Sequence, residues 1–200
     1  MSDERLRVIL GWHMHQPEYR DPSTGQFRLP WTYLHAIKDY SDMAAHLEAA
    51  PAARAVVNFA PLLLEQLEAY VEQIDAYFAH HKPLGDRVLA ALVAERYPTD
   101  ADARRDLVEA ALRAHPQRLI ARFSTYRLLA SEGERLRTRP EELEAAPEGY
   151  LADLLTWFHL AWMGESLRRE LPLIGQLQAQ QVKCRCWAMP GIFHSAWNAW

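Results

Sequence analysis

Residues 7–15 read Arg7-Val8-Ile9-Leu10-Gly11-Trp12-His13-Met14-His15. Side chains alternate across a strand, so Val8, Leu10, Trp12 and Met14 fall on one face and Ile9, Gly11, His13 and His15 on the other. Both faces carry apolar residues, which predicts a strand covered on both sides. Gln16-Pro17 ends it, because proline has no N–H for the ladder. Turn formers follow from Asp21 to Gly25. Residues 32–50 then carry Leu34, Ile37, Ser41, Ala44 and Leu47 at three- and four-residue steps, a helical pattern with Thr32 placed to cap it and Pro51 to stop it. Residues 55–59 read as a second strand. Pro61 stands at the first position of a helix whose Leu63, Leu67, Tyr70, Ile74 and Tyr77 share one face. Strand, helix, strand, helix predicts parallel strands joined by a crossover helix. In such α/β folds ligand chemistry gathers at the carboxyl ends of the strands, where His13 and His15 stand.

Beyond Lys82-Pro83-Leu84-Gly85 the text becomes charged and helical, with no convincing strand. Thr99-x-x-Asp102 resembles a capping box, Pro116 breaks the pattern, and Leu119, Phe123, Tyr126 and Ala130 mark a further helix. Pro140-Glu141-Glu142 is an acidic helix start, favoured by the positive end of the helix dipole. Residues 150–163 are strongly apolar. The expected organisation is therefore an α/β part at 1–84, a helical subdomain at 85–182 and an irregular segment at 183–200. That last segment holds both cysteines, Cys184 and Cys186, and three of the seven tryptophans, with neither strand nor helix period. It reads as a terminus foreign to the rest, from a frame change or a truncation, or as an aromatic closing segment packed on the helices.

Twenty-two Lys and Arg against 26 Asp and Glu give a net charge of −4, which argues against binding dominated by phosphate neutralisation, and so against nucleic acid. No apolar run of about 18 residues is present to span a bilayer, and the charged opening, Met1-Ser2-Asp3-Glu4-Arg5, does not resemble a secretory signal. A cytoplasmic protein without membrane partners is expected. Cys184 and Cys186, one residue apart, cannot staple distant parts of a fold and fall short of a four-ligand zinc site.

Chemistry concentrates at His13-x-His15-Gln16-Pro17. Alternate strand positions point both imidazoles the same way, about 7 Å apart at the backbone. They could bind hydroxyl groups, handle protons near neutral pH or ligate a metal. The Gln16 amide, donor and acceptor at once, suits sugar hydroxyls. Of the aromatic residues nearby, Trp31, in a loop after Pro30, is the candidate stacking surface, whereas Trp12, on the face opposite the histidines, is assigned to the core. His35, Lys38, Asp39 and Asp42 read as a solvated helical face, and His46, His80, His81 and His115 as surface residues.

Three stretches together carry a family resemblance: WHMHQP at 12–17, GQFRLPWTYLHAIKDY at 25–40 and NFAPLLLEQLEAY at 58–70. They resemble the N-terminal part of glycoside hydrolase family 57, and WFHLAW at 157–162 is similar to the helical region of its longer members. The resemblance covers about residues 6–180 and leaves out the final segment. It implies a (β/α)7-barrel acting on α-1,4-glucans with retention of configuration, as in α-amylases and 4-α-glucanotransferases, and therefore a partial barrel here, with a maltooligosaccharide or longer α-glucan as partner and no cofactor. It further implies a Glu nucleophile and an Asp acid/base in segments downstream of the His-Gln-Pro motif, beyond the end of this chain. A donor-sugar pocket lined by that motif carries over to His13, His15 and Gln16 as substrate contacts.

Glu65, Glu68, Asp153 and Glu165 sit in amphipathic helical text, so none is nominated as catalytic. The fragment is expected to be inactive alone and, with an open sheet edge, to associate with itself. Two other readings stay open: a metal-dependent hydrolase using His13-x-His15, and a non-catalytic carbohydrate-binding module.

Overall fold

The computed structural model describes residues 8–179. Strand β1 (Leu10–Met14) pairs in parallel with β2 (Ala55–Phe59), with His13 opposite Asn58 and Met14 opposite Phe59. The Ala60 N–H donates to Met14 O at 2.9 Å, so the pairing persists to the carboxyl end of both strands. A helical crossover joins them, as parallel pairing requires. The α/β reading of the first third is therefore correct, although β1 starts three residues later than the periodicity suggested and stops before His15.

The two-sided covering expected of the sheet is not found. Val8 is 71%, Ile9 83% and Val56 62% exposed, and Leu10 and Val57 are partly so, while Met14 is buried. Among the described residues the sheet has two strands, and no helix packs extensively along either of them.

The crossover is one continuous helical run in three pieces: α1 (Trp31–His35), a π-helical turn (Ala36–Tyr40) and α2 (Ser41–Glu48). The sequence predicted a single α-helix here. Leu34 and Ile37 are buried as expected, but α2 buries nothing. Thr32 does not cap the run. Its hydroxyl is buried and donates to Gln66 Oε1 at 3.3 Å. The extra residue of the π turn is accommodated by Ser41, whose N–H and Oγ both reach back to Ala36 O, the latter at 2.7 Å. Such single π turns recur at functional sites.

Helix α3 (Pro61–His80) opens on its proline and closes with His81 in the left-handed conformation. It buries Leu63, Tyr70 and Ile74 with the unexpected Gln66. In the loop between β1 and α1, Gly25 adopts a φ of 70°, which a side chain would strain, and its N–H donates to Asp21 O at 2.8 Å. The ring of Phe27 stacks on Tyr70 at 3.9 Å, and its N–H donates to Gly85 O. Asp86 caps α4 (Arg87–Leu92), accepting from the Val88 and Leu89 N–H groups and from the Tyr70 hydroxyl. Burial pushes its carboxyl pKa up against these bonds.

The remaining described residues are helical, as the sequence indicated: α5 (Ala101–Leu112), a π turn (Pro116–Ile120), α6 (Ser124–Leu136), α7 (Pro140–Ala145), α8 (Glu148–Trp162), α9 (Glu165–Glu170) and α10 (Pro172–Ala179). Asp100, not Thr99, caps α5, accepting from Ala103 N–H at 2.8 Å. The helix expected around Leu119 and Ala130 is divided between the second π turn and α6. Arg104, buried on α5, donates to the Leu143 and Glu144 carbonyls at the end of α7.

Every residue from Leu154 to Trp162 on α8 is buried, as befits a helix apolar all round, and α8 packs against α1, α4, α5 and α6. One buried cluster runs from Met14 to Leu177. Within it His159 is fully buried, its Nδ1 donating to Leu155 O at 2.7 Å and its Nε2 accepting from the Tyr33 hydroxyl at 2.8 Å. No helix among the described residues is long and apolar enough to cross a membrane. The segment 183–200, with Cys184 and Cys186, lies outside the described residues.

Candidate functional site

Along β1 and past its carboxyl end lies a cleft of about 370 Å³, lined by residues 11–16 of the strand side and by His35, Tyr40 and Met43 of the helical crossover. That volume is in the range of small-ligand sites, roughly 300–1,000 Å³. The cleft gathers three of the four sequence candidates: His13, His15 and Gln16.

The alternation of the strand carries through to His15. The His13 and His15 rings stand 6.0 Å apart, nearly parallel at 10°, and both residues are exposed. Because His13 faces Asn58 across the ladder, its Nδ1 lies 2.7 Å from Asn58 Oδ1. With that oxygen accepting, Nδ1 carries the proton and Nε2 is the acceptor in the neutral ring. Asn58 thus holds the His13 ring, a contact that sequence reading passed over. Its signal was its place at the end of the second strand.

Gln16 is bonded at both ends of its amide. Nε2 donates to Tyr40 Oη at 3.2 Å, and Oε1 accepts from Tyr19 Oη–H at 3.0 Å. One N–H and one lone pair remain for a ligand. Burial raises the pKa of both tyrosine hydroxyls, keeping them donors.

The loop that carries Gln16 is held by Gln66. Fully buried on α3, its Nε2 donates to Pro17 O at 2.9 Å and Leu62 O at 3.3 Å, while Oε1 accepts from Tyr19 N–H at 3.2 Å and from Thr32. One side chain thereby ties the loop after β1 to α1 and α3.

Trp31, the fourth candidate, is not among the lining residues. It packs against Trp162 at 5.8 Å, half-buried at the start of α1. Trp12, assigned to the core from its strand face, is only partly buried and lines the cleft, because no helix packs extensively on β1 among the described residues. His35 also corrects the sequence reading. Rather than standing on a solvated face, it lines the cleft, edge-on to Trp162 at 5.6 Å and stacked on Tyr40 at 6.3 Å. Its Nδ1 lies 2.5 Å from Asp39 Oδ2, and the Lys38 ammonium holds the other Asp39 oxygen. Burial alone would raise the Asp39 pKa, but the bonds from His35 and Lys38 outweigh it and hold the carboxyl below the usual range.

Asp42 is likewise not free. It accepts from the Glu165 and Ser166 N–H groups and the Ser166 hydroxyl, capping α9 across the fold. Gly164 makes this approach possible: a Cβ there would meet Asp42 Oδ1 at 2.7 Å and Lys38 O at 2.9 Å. His46, His80, His81 and His115 are exposed, as expected.

No carboxylate lines the cleft among the described residues, nor do three or more His, Cys, Asp or Glu side chains converge in a way that could hold a metal ion. What the cleft offers is two imidazoles on one wall, a third on the other, a half-committed amide and aromatic surface. Groups of these kinds can hold a hydroxylated ligand by hydrogen bonds and ring contact.

No characterised protein and no solved structure gave a significant match to this chain. The family described as Glycosyl hydrolase family 57 matches residues 9–188, a span that includes both strands, the cleft and all ten α-helices and reaches into the first part of the segment set apart at 183–200. With that family's match extending over most of the chain, and the His-Gln-Pro stretch lying at the carboxyl ends of parallel strands, the chain belongs to glycosyl hydrolase family 57.

Proposed function

We propose that this chain supplies the sugar-holding wall of a retaining glycoside hydrolase site for α-1,4-glucans, of α-amylase or glucanotransferase type, and that by itself it binds maltooligosaccharides without cleaving them. The observation that carries the reading is the meeting of His13, His15 and Gln16 in one cleft at the carboxyl end of β1, a strand paired in parallel with β2. Trp31 belongs to the proposal as a stacking surface, outside the cleft lining and packed on Trp162. Retaining chemistry needs two carboxyls about 5–5.5 Å apart, one to form the glycosyl intermediate and one to protonate the leaving oxygen. The lining residues contain neither. Contacts that hold ground and transition states alike accelerate little.

Saturable maltoheptaose binding by calorimetry is expected, weakened roughly tenfold in His13→Ala by loss of a hydrogen bond worth about 1–1.5 kcal/mol. No reducing sugar should be released from maltoheptaose or starch. Turnover by the pure chain, abolished by changing one of its own carboxylates, would overturn the reading.

We further propose that β1 and β2 open a partial (β/α)7-barrel. Their parallel pairing through a helical crossover and the exposed row of Val8, Ile9, Leu10, Val56 and Val57 support it. The same apolar, open-edged surface supports self-association. Sedimentation velocity should show concentration-dependent growth in mass that Ile9→Lys with Val56→Lys reduces. A monomer at every concentration would contradict this.

A further inference from the structure

We propose that His35, oriented by Asp39, is a third carbohydrate-binding imidazole of the cleft, contributed by the helical wall as His13 and His15 are by the strand wall. The proposal rests on the α-glucan reading above. It begins from placement: His35 lines the same cleft as His13, His15 and Gln16. About a third of its side chain is exposed, enough for a ligand to reach while the ring stays fixed. Tyr40 stacks on one side of the ring and Trp162 meets it edge-on.

The ring's chemistry follows from its anchor. An ionised carboxylate only accepts, so the 2.5 Å contact with Asp39 Oδ2 puts a proton on Nδ1. In the neutral ring Nε2 is then an acceptor, and it meets no hydrogen-bonding partner among the described residues. His13 shows the same arrangement, with Asn58 Oδ1 holding its Nδ1. Two imidazoles from different elements are thus each anchored at Nδ1 with Nε2 left to accept, a pattern that fits hydroxyl donors of a pyranose ring.

Asp39 is a positioning residue in this scheme and acts through His35. Lys38 fixes the second Asp39 oxygen and lies over the Trp162 ring at 5.6 Å, so the carboxylate cannot swing away without breaking both contacts. An ordinary helical ion pair four residues apart would account for the contact alone. It would not account for a pair lying across a π turn whose flanks, His35 and Tyr40, both face the cleft.

The test uses the full chain with 15N-labelled histidine and maltoheptaose as probe. Long-range proton–nitrogen spectra of the free protein should show His35 with its proton on Nδ1, and maltoheptaose should shift the His35 Nε2 resonance. His35→Ala should weaken maltoheptaose about tenfold in calorimetry. Asp39→Asn should weaken it less while moving the His35 proton toward Nε2, because Lys38 takes the one amide oxygen and turns the NH2 to Nδ1, and Asp39→Glu should restore both readings. Three results would overturn the proposal. Unchanged affinity in His35→Ala, with affinity lost in His13→Ala, defeats it and leaves the α-glucan reading standing. An unmoved His35 Nε2 resonance at saturating sugar defeats it without any variant, so an unfolded His35→Ala protein does not rescue it. Absence of maltoheptaose binding by the unaltered chain removes the α-glucan reading and this inference together. A His35 tautomer indifferent to Asp39→Asn would strike out the role of Asp39.

Discussion

Gln66→Leu is expected to destabilise the fold by about 3–5 kcal/mol, a large share of the roughly 5–15 kcal/mol that holds such a domain together. Leucine nearly matches the volume but removes a donor and an acceptor at once. Pro17 O, Tyr19 N–H and the Thr32 hydroxyl then lose their partner, and each buried polar group left without one costs about 1–3 kcal/mol. Pro17 is exposed and Tyr19 only partly buried, which places the sum below the simple total. For a chain of 200 residues this means a fall in Tm of roughly 6–20 °C, at about 2–4 °C per kcal/mol. Gln66→Glu should also fail to restore stability, because it keeps the acceptors, loses the donor to Pro17 O and places a charge in a fully buried site. Thermal unfolding by circular dichroism reads both variants. A drop under about 1 kcal/mol for Gln66→Leu would show that the loop after β1 is held by other contacts. Loss of maltoheptaose binding in a folded variant would link the tie to the cleft, since Gln16 and Tyr19 sit on that loop.

His159 makes the second large effect, one of pH. Complete burial lowers its pKa from 6.5 to about 4, opposed only weakly by the Leu155 carbonyl. The native state therefore resists a proton that the unfolded chain takes up at about 6.5. Above that pH both states are neutral and the residue costs nothing. As pH falls from about 6.5 to 4 the unfolded chain gains, and the native state loses about 3 kcal/mol, at about 1.4 kcal/mol for each tenfold change in proton affinity. Carboxylates held below their usual range, such as Asp42 and Glu165, lose stability at still lower pH. Asp86 works the other way: its raised pKa makes the native state the better proton acceptor, so it gains as pH falls. A comparison of variants isolates the histidine. His159→Gln can retain bonds to Leu155 O and the Tyr33 hydroxyl without titrating, at some cost at pH 7. Between pH 7 and 4.5 the stability gap between the unaltered chain and the variant should shrink by about 2–3 kcal/mol in urea unfolding. A gap constant within about 0.5 kcal/mol would show that His159 does not govern acid unfolding.

Both effects arise from residues that a reading of the chain had no reason to single out. Gln66 lies in a helix beside Glu65 and Glu68 and shares their polar look, and His159 sits in an apolar helix as one imidazole among nine histidines. Hydrophobic periodicity reports which face a residue occupies. It does not report which polar groups arrive at that face, for Gln66 a hydroxyl 34 residues away and backbone groups 47 and 49 residues away. His35 and Asp39 were passed over for a related reason. Charged positions in helical text read as a solvated stripe, and neither the packing that sets His35 at the cleft nor the π turn at 36–40 has a reliable signature in composition. Asn58 could have been found: it was the polar end of the second strand, and parallel register alone sets it beside His13.

What the chain's own pattern determined was the part governed by local and periodic physics. Period two and a closing proline place the histidines at a strand end, prolines at 61 and 140 start helices, acidic residues sit at the positive end of α7, and the His-Gln-Pro stretch marks the family. Tertiary structure alone decided which groups those elements bring into contact: Gln66 under the loop, Asp42 on the start of α9, His35 in one cleft with the two strand imidazoles, and Trp12 lining that cleft while Trp31 packs on Trp162. The division has one physical cause. Side-chain alternation and capping are set within a few residues, whereas hydrogen-bond satisfaction in the interior is settled only when distant segments meet and each buried donor must find an acceptor.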